Sequence, residues 1–376
     1  MKTNPSLDLD KLRDDLQAAE APWQMSYTPL TALTEDERVI RLGVPPSPGI
    51  AISKLEDGRD AAAAAAMSAK AVAVGAPASF DLRNIGGVNY TTPVQDQGNC
   101  GSCVAFGVVA TMEAVTRYIN RAPSLPINLS EAHAYYCHGR AAGARCNTGM
   151  WPENLLEPAR TAGITFDDYY PYTAGDQDCT GLNADWPNRH AKVVSWQFLN
   201  GDVARMKQLI STYGAIETCM DVYQDFFSYG GGDYRHLSGA YAGGHCVSLI
   251  GYDDAAGVWI AKNSWGTGWG MGGFFRIAYG ECRIETYQQP GGSGSSAVLG
   301  VTLRAWLPNQ LIVGIWSNEF DGNIWAYGSM RGWLRLGPVA PVTAQAMLSE
   351  LAAAKAGSRA VGIFENAGTV DQLYAW

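Results

Sequence analysis

The spacing of apolar residues near the N-terminus predicts helices in a segment with few aromatic residues. The apolar positions fall at helical intervals in a first helix predicted over residues 7–20: Leu9, Leu12 and Leu16. An alanine-rich run predicts a second helix over residues 59–74. Residues 1–76 are therefore expected to form a preliminary segment that cannot build a core alone.

From Phe80 onward the pattern becomes typical of a larger mixed domain. Apolar residues at helical spacing predict a long helix that starts near Ser102; they are Val104, Val108, Met112, Val115 and Ile119. Apolar runs rich in β-branched and aromatic residues predict strands at 191–199, 246–252, 257–262 and 273–279. We therefore expect an α+β domain over residues 77–290, with a helical half followed by a β-rich half.

The end of the chain has a pattern of its own. Residues 291–296 are rich in glycine and serine, which is typical of a flexible linker, so residues 297–376 are expected to be a separate module. Two similar segments predict hairpins there: VGIW…IWAY begins at Val313, and VGIF…LYAW begins at Val361. A helix is predicted between them, over residues 343–355.

The composition excludes several classes of protein. Of the 376 residues, 47% are hydrophobic and 17% are charged, as in a folded globular protein and unlike a disordered one. With 27 Lys+Arg against 36 Asp+Glu the net charge is −9, which disfavours nucleic acid and anionic membrane surfaces as partners. No apolar run is long enough to cross a bilayer, and no signal peptide is visible at the charged N-terminus.

One group of residues has the pattern required for a cysteine nucleophile. Cys103 lies where a glycine-containing turn meets the predicted long helix, and a helix N-terminus stabilises a thiolate. Gln97 lies just upstream, where its side-chain amide could donate to an oxyanion. His245 opens a predicted strand beside two glycines, and Asn263, which follows another strand, could orient the imidazole. Trp265 could shield that hydrogen bond from water.

Each of these residues also has a simpler structural interpretation. A cysteine at a helix start is more often a packed small side chain, and a lone histidine is more often a hydrogen-bonded structural residue. The motifs favour catalysis only because they occur together and in order. The remaining histidines lack such a context and are interpreted as structural: His133, His138, His190 and His236.

These segments resemble the papain-like cysteine peptidase family, which has a C-G-[SA]-C motif with His and Asn far downstream. The resemblance covers residues 77–290 and rests on four motifs: QGNCGSC at 97–103, CNTG at 146–149, GGH at 243–245 and NSWGTGWG at 263–270. It implies a two-lobed α+β fold with the active site in a cleft between a helical and a β-rich lobe. It also implies four roles: Cys103 as nucleophile, His245 as base and acid, Asn263 as the imidazole-orienting residue and Gln97 as oxyanion donor.

The sequence departs from the family pattern at three positions. Val104 stands where the family usually has Trp or Tyr, Thr148 replaces a glycine in a substrate-pairing loop, and Gly244 replaces a commonly acidic residue. The resemblance implies substrate contacts at Trp265, at Thr148 and Gly149, and in an S2 pocket formed by Met150, Trp151, Cys219, Cys246 and Tyr287. Since this pocket has no fixed charge, an apolar P2 residue is expected.

The resemblance also implies two disulfides, Cys100–Cys146 and Cys137–Cys179. Disulfides favour an extracytoplasmic or secreted location, whereas the missing signal favours the cytoplasmic alternative. Cys282 lacks its usual partner and is expected to be reduced. Cys219 and Cys246 could be free thiols or a bridge of their own.

A zinc site that uses Cys137, His138 and Cys146 is a rival interpretation of these cysteines. The spacing fits no compact ligand pair, so no metal site is expected.

We therefore expect an endopeptidase that acts on proteins or peptides through a thioester acyl-enzyme, without metal or organic cofactor. The alternatives are an acyl-transferase or ligase with the same site and an inert peptide-binding protein. Residues 1–76 are expected to inhibit the enzyme, with the proline-rich stretch 43–49 crossing the cleft. A structural brace or a targeting element is the other interpretation of this segment.

Overall fold

The N-terminal segment is folded in the computed structural model, which describes residues 7–50, 75–320 and 322–375. It forms helix α1 (Leu9–Ala18), strand β1 (Trp23–Met25) and helix α2 (Glu35–Val39). The helix predicted over residues 7–20 is thus confirmed, while the one predicted over 59–74 lies outside the described residues.

Local hydrogen bonds explain where these two helices begin. The Asp8 carboxylate accepts a hydrogen bond from the Lys11 backbone N–H at the start of α1. Thr34 and Glu37 form a capping box at the start of α2. Leu12 and Leu16 of α1 are buried among residues of the β-rich half, so the segment uses the core of another part of the chain.

The helical half begins after strand β2 (Ser79–Asp81). Helix α3 (Cys103–Ile119) is buried along most of its length, which agrees with its predicted apolar spacing. A π-helical segment (His133–Gly139), helix α4 (Glu153–Thr161) and strand β3 (Ile164–Thr165) follow. Single 3₁₀ turns connect the next elements: Asp167–Tyr169, Cys179–Gly181 and Trp186–Asn188.

The β-rich half contains strands at all four predicted runs: β4 (His190–Val193) and β5 (Trp196–Phe198) share the first, and β8 (Tyr241–Asp253), β9 (Val258–Lys262) and β10 (Phe274–Ala278) match the others. Two strands were not predicted, β6 (Ile216–Tyr223) and β7 (Tyr229–Tyr234). Helix α5 (Val203–Tyr213) lies between β5 and β6, and 3₁₀ turns occur at Gln224–Ser228 and Glu281–Arg283. The resulting architecture is the expected two-lobed α+β fold.

Residues 291–296 are not a linker, so this prediction is wrong. They belong to a ribbon of β11 (Gln288–Gln289) and β12 (Gly292–Ser293) and to strand β13 (Ser295–Val298). Strand β13 pairs with β5 and with β6 inside a nine-stranded sheet, in the order β1-β7-β10-β9-β8-β6-β13-β5 with β2 on β8. Ser295 is buried in this sheet, where its hydroxyl and that of Thr218 are hydrogen-bonded at 2.6 Å.

The C-terminal module contains both predicted hairpins and the predicted helix. Its elements are β14 (Val301–Ser317), β15 (Ile324–Gly328), β16 (Gly332–Leu336), α6 (Pro341–Ala356), β17 (Ala360–Asn366) and β18 (Thr369–Ala375). The strands follow the order β15-β16-β18-β17-β14, and β15 also pairs with β14, so these five strands form a closed ring.

The module is not a separate unit, contrary to the prediction. The long strand β14 extends past the ring and pairs with β4 of the preceding domain, which itself pairs with β3. Leu303 and Ala305 of β14 lie in the same buried cluster as Leu129 and Ile164 of the helical half. The domain over residues 77–290 and the C-terminal module therefore share one sheet and one core.

Candidate active site

The candidate nucleophile, Cys103, is the first residue of α3 and is fully buried. A disulfide between Cys100 and Cys146 ties the turn before the helix to the neighbouring loop. The backbone N–H of Gly43, in the N-terminal segment, donates to Cys103 Sγ at 3.3 Å. The sulfur thus lies at a helix N-terminus, as predicted, and is covered by the chain's own N-terminal segment.

The candidate base, His245, lies in β8 beside the end of β9. Its Nε2 and the side-chain oxygen of Asn263 are 2.8 Å apart, and because that oxygen can only accept, Nε2 carries the proton. The other ring nitrogen, Nδ1, has no hydrogen-bond partner among the described residues. Trp265 packs against the imidazole with ring centroids 4.6 Å apart, so the His245–Asn263 bond is kept from water as expected.

The candidate oxyanion donor, Gln97, is held in one orientation. Its side-chain oxygen accepts a hydrogen bond from the Ser264 hydroxyl at 2.7 Å. Its Nε2 therefore faces the cleft, where it donates to the carbonyl oxygens of Arg41 and Cys100, each at 2.8 Å. Arg41 belongs to the N-terminal segment. The amide that we assign to the substrate oxyanion therefore already donates to a backbone carbonyl of this segment.

The stretch around Gly43 fills the cleft by backbone contacts. The Met150 N–H donates to Gly43 O at 2.9 Å, the Val44 N–H donates to Gly244 O at 3.1 Å, and the Tyr287 hydroxyl donates to Pro45 O at 2.7 Å. This placement agrees with the expectation that the 43–49 stretch crosses the cleft.

The contact between the segment and the cleft walls depends on glycines. A Cβ atom added to Gly43 would lie 1.8 Å from the Gly101 carbonyl oxygen, and one added to Gly149 would lie 1.8 Å from Gly43 O. No side chain fits at either position, since real Cβ contacts stay beyond about 3 Å. Gly149 also has a positive φ of 64°, which favours glycine on its own.

The other predicted substrate-binding residues fall into two groups. Met150, Cys219, Cys246 and Tyr287 are buried in one cluster with Val44, and Trp151 packs on that cluster while partly exposed. Thr148 is exposed, and its hydroxyl accepts from the Arg145 N–H at 3.0 Å. Four of the predicted pocket residues are thus buried in the core, whereas Thr148 lies on the surface.

Sequence reasoning missed a buried ion pair that also holds the N-terminal segment. Arg283 donates to both carboxylate oxygens of Asp221, and its third nitrogen donates to the Ser47 hydroxyl at 3.0 Å. Neither residue belongs to a motif. Arg283 lies four positions before Tyr287, a predicted pocket residue, and its guanidinium packs on the Tyr287 ring. This closeness in sequence is the one signal that could have drawn attention to Arg283.

Burial determines the protonation states of the two candidate reacting groups. Desolvation raises the pKa of the Cys103 thiol to about 12, although nearby backbone N–H groups oppose the shift. Desolvation lowers the pKa of His245 to about 4, against the hydrogen bond to Asn263. Burial therefore favours the neutral forms of the thiol and of the imidazole while the segment covers them.

The cysteines are distributed as the resemblance implies. Disulfides join Cys100 to Cys146 and Cys137 to Cys179, and the rival zinc site is excluded because both of its cysteines are in these bonds. Cys282 is a free, buried thiol, as predicted. Cys219 and Cys246 are also free thiols.

Comparison with known proteins decides the family. A model of the papain family of cysteine proteases matches residues 76–290. The chain belongs to the papain family of cysteine proteases. It is therefore a cysteine peptidase, a hydrolase, and its signature motifs lie within the matched residues.

Individual relatives are similar over the same part of the chain. A cathepsin B-like CP2 of Giardia intestinalis is 36% identical over 222 residues, which cover 56% of this chain and 72% of the relative. A gut-specific cysteine proteinase of Caenorhabditis elegans is 31% identical over 264 residues, or 62% of this chain and 80% of the relative.

Solved structures of proenzymes share the fold. Procathepsin B S9 from Trypanosoma congolense superposes with a TM-score of 0.59 at 21% identity, covering 78% of this chain and 98% of that one. Digestive procathepsin L 3 of Tenebrio molitor gives a TM-score of 0.58 at 21% identity, covering 77% of this chain and 86% of that one.

Across the described part of this cysteine protease, none of the helices is long and apolar enough to span a membrane.

The covered thiol leads to a prediction about reactivity. In the full-length chain, a Cys103 pKa near 12 leaves about one thiolate in 10⁴ at pH 8, so iodoacetamide should label Cys103 slowly from pH 5 to pH 8. Removal of the N-terminal segment exposes the sulfur and lowers its pKa, and labelling should then accelerate at least a hundredfold. Cys282, whose pKa burial also raises, serves as the internal control. Equal rates for Cys103 before and after removal, measured by peptide mass spectrometry, would contradict the assignment.

Proposed function

We propose that this protease hydrolyses peptide bonds through Cys103, His245, Asn263 and Gln97. The observation that carries the proposal is the convergence of three groups on one stretch of backbone. The Cys103 sulfur accepts from the Gly43 N–H, the Gln97 amide donates to Arg41 O, and the Val44 N–H donates to the carbonyl oxygen of Gly244, the residue before His245. A peptide substrate that replaces residues 41–45 would meet a nucleophile, a base and an oxyanion donor.

The chemistry of these groups supports an acyl-enzyme mechanism. His245 Nδ1, which lacks a partner among the described residues, takes the thiol proton, and the Cys103 thiolate attacks the substrate carbonyl carbon. The Gln97 amide and the backbone N–H of Cys103 stabilise the oxyanion. The imidazolium then protonates the leaving amine, and water that His245 activates hydrolyses the thioester. None of these steps requires a cofactor.

Substitutions at the two cleft residues test this mechanism. Cys103→Ala should abolish hydrolysis by the processed enzyme, while Cys282→Ala, at another buried free thiol, should keep it. Gln97→Ala should lower kcat by about 10²- to 10³-fold. Gln95→Ala is the matched control because its amide contacts the Asn128 side chain and not the cleft backbone. Hydrolysis of a short peptide by Cys103→Ala at the wild-type rate would disprove the proposal.

We further propose that the N-terminal segment inhibits the enzyme as a propeptide. The contact with the Cys103 sulfur supports this role, because the sulfur accepts a hydrogen bond from the Gly43 N–H and the segment thereby covers the candidate nucleophile. Arg41 contributes a second attachment outside the cleft, through its ion pair with Asp96 at 2.9 Å. A third attachment lies at β1, which pairs with β7. There the Trp23 indole N–H donates to Arg235 O.

The close contact between Gly43 and Gly101 allows this inhibition to be tested by adding one methyl group at Gly43. In the full-length chain, Gly43→Ala places a Cβ 1.8 Å from the Gly101 carbonyl oxygen, so residues 41–45 must leave the cleft. We expect at least tenfold more hydrolysis of a short fluorogenic peptide than by the wild-type full-length chain. Gly49→Ala is the control for local backbone strain, because its φ of 75° disfavours a side chain while no atom lies within 4 Å of its added Cβ. If the two variants and the wild type are equally active, the segment is a structural brace.

The S2 pocket is proposed to select an apolar P2 residue. Val44 of the inhibitory segment is 4% exposed and belongs to the same buried cluster as the four buried pocket residues Met150, Cys219, Cys246 and Tyr287. Its N–H donates to Gly244 O, and the Tyr287 hydroxyl donates to the carbonyl oxygen of the next residue, Pro45, which supports an aliphatic side chain at this position of a bound peptide.

A peptide library profiled with the processed enzyme tests this preference. Val, Leu or Phe at P2 should be cleaved at least tenfold faster than Arg or Glu, since burying an unpaired charge is costly. A library that ranks Arg first would contradict the proposed pocket. Cleavage within long chains is expected as well, because the protease is proposed to be an endopeptidase.

An extracytoplasmic location is proposed on the basis of the disulfides. Cys100–Cys146 and Cys137–Cys179 both lie in the helical half and would be reduced in a typical cytosol.

A further inference from the structure

Three metal-binding side chains converge beside the candidate active site. Cys219 in β6 and Cys246 in β8 are directly opposite each other in the antiparallel ladder. Glu217 precedes Cys219 by two positions and therefore projects from the same face of β6. One donor atom from each of the three side chains lies within 4.8 Å of the other two.

The hydrogen bonds show that the cluster lacks a partner. Both thiols point at one carboxylate oxygen, Glu217 Oε1, with Cys246 Sγ at 3.5 Å and Cys219 Sγ at 3.9 Å. The other oxygen, Glu217 Oε2, is buried and has no hydrogen-bond partner among the described residues. The hydroxyl of Ser296, on the adjacent strand β13, is also buried and has no hydrogen-bond partner of good geometry among the described residues. A buried carboxyl oxygen without a hydrogen-bond partner is unfavourable unless a partner is supplied.

Simple packing does not account for this arrangement. Glu217 and Cys219 are fully buried and Cys246 is 1% exposed, so aliphatic side chains would fill the space without the cost of an unpaired carboxylate. Helix α3 also leaves room for the sulfur, because a Cβ on Gly107 would lie 2.7 Å from Cys246 Sγ. Two thiols with one carboxylate form a donor set suited to a thiophilic divalent cation.

We propose that Glu217, Cys219 and Cys246 form a binding site for a thiophilic divalent cation such as Zn²⁺. Zinc binds cysteine sulfur at about 2.3 Å and carboxylate oxygen at about 2.0–2.2 Å, so donor atoms within 4.8 Å of one another reach a common centre after small shifts. The S–H bonds of Cys219 and Cys246 and the O–H bond of Glu217, which burial keeps protonated, break; two sulfur–metal bonds and one oxygen–metal bond form, and the three protons pass to solvent. The fourth coordination position is open to the nearby Ser296 hydroxyl or to a water molecule.

The site couples metal binding to the cleft through the chain. Cys246 follows His245 directly, and Cys219 belongs to the proposed S2 pocket. A bound ion would cross-link β6 to β8 next to the candidate base, His245, and would restrict the motion of one wall of the proposed S2 pocket. This consequence rests on the proposed function, whereas metal binding itself does not, so the two can fail separately.

Metal titration of the full-length chain tests the proposal without an activity assay. The chain carries Cys103→Ala, which removes the candidate nucleophile as a competing ligand, and is reduced at its free thiols. Zinc content is measured after expression in zinc-supplemented medium and after titration with ZnCl₂, and CoCl₂ gives the thiolate-to-cobalt absorption bands. We expect one equivalent of metal, with two sulfur ligands at about 2.3 Å by zinc X-ray absorption.

Matched variants locate the site. Cys219→Ala and Cys246→Ala should each remove the cobalt–thiolate bands or halve their intensity and lower the affinity at least a hundredfold. Glu217→Gln, which preserves shape and is the substitution least able to disturb folding, should lower it at least tenfold. Cys282→Ala, at a buried free thiol elsewhere, should change nothing.

Three outcomes would overturn the inference. The first is the absence of bound metal under both loading conditions. The second is metal binding that survives Cys219→Ala and Cys246→Ala unchanged. The third is a disulfide between Cys219 and Cys246 in freshly isolated protein, found by peptide mapping, because the thiols would then be unavailable.

Discussion

The packing of helix α3 on strand β8 brings the candidate nucleophile and base together. Gly107 allows the close approach, since a Cβ there would lie 2.7 Å from Cys246 Sγ. One turn further along the helix, the Thr111 and Ser248 hydroxyls form a buried hydrogen bond at 2.9 Å. These contacts fix the helix that begins at Cys103 against the strand that contains His245. Helix α3 belongs to the helical lobe and strand β8 to the β-rich lobe. Their packing therefore allows the two lobes to build one site from residues far apart in sequence.

A buried polar network extends this constraint to the end of β9. Lys262 Nζ donates to the Thr92 hydroxyl at 2.9 Å, Thr92 donates to Glu113 of α3, and Glu113 accepts from the Leu129 N–H at 2.8 Å. Burial lowers the pKa of Lys262 and raises that of Glu113, and the attraction between the two charges opposes both shifts. Because Lys262 precedes Asn263, this network holds the residue that orients the imidazole. Ionic groups buried in this way favour one geometry more than they add stability.

Sequence alone predicted those parts of the fold and site that depend on local pattern. Cys103 was found because a turn runs into an apolar helix, and His245 because glycines precede an apolar strand. Residues 291–296 were misjudged because composition does not show that Ser295 bonds to Thr218 across the sheet. The role of Gly43 was also invisible, since its requirement for glycine comes from Gly101, which lies far along the chain. Contacts between distant segments decide such positions, and no periodicity reports them.

The covalent connection between the N-terminal segment and the enzyme has a kinetic consequence. Residues 41–45 occupy the cleft and residues 75 onward belong to the enzyme, so occupancy of the cleft is an intramolecular equilibrium that does not change on dilution. Tethered groups commonly experience effective concentrations in the millimolar range. One cut between residues 50 and 75 would turn this equilibrium into a bimolecular one without altering a single contact. The cleaved segment would then leave at a rate set by its own contacts, and its return would depend on how far the protein had been diluted.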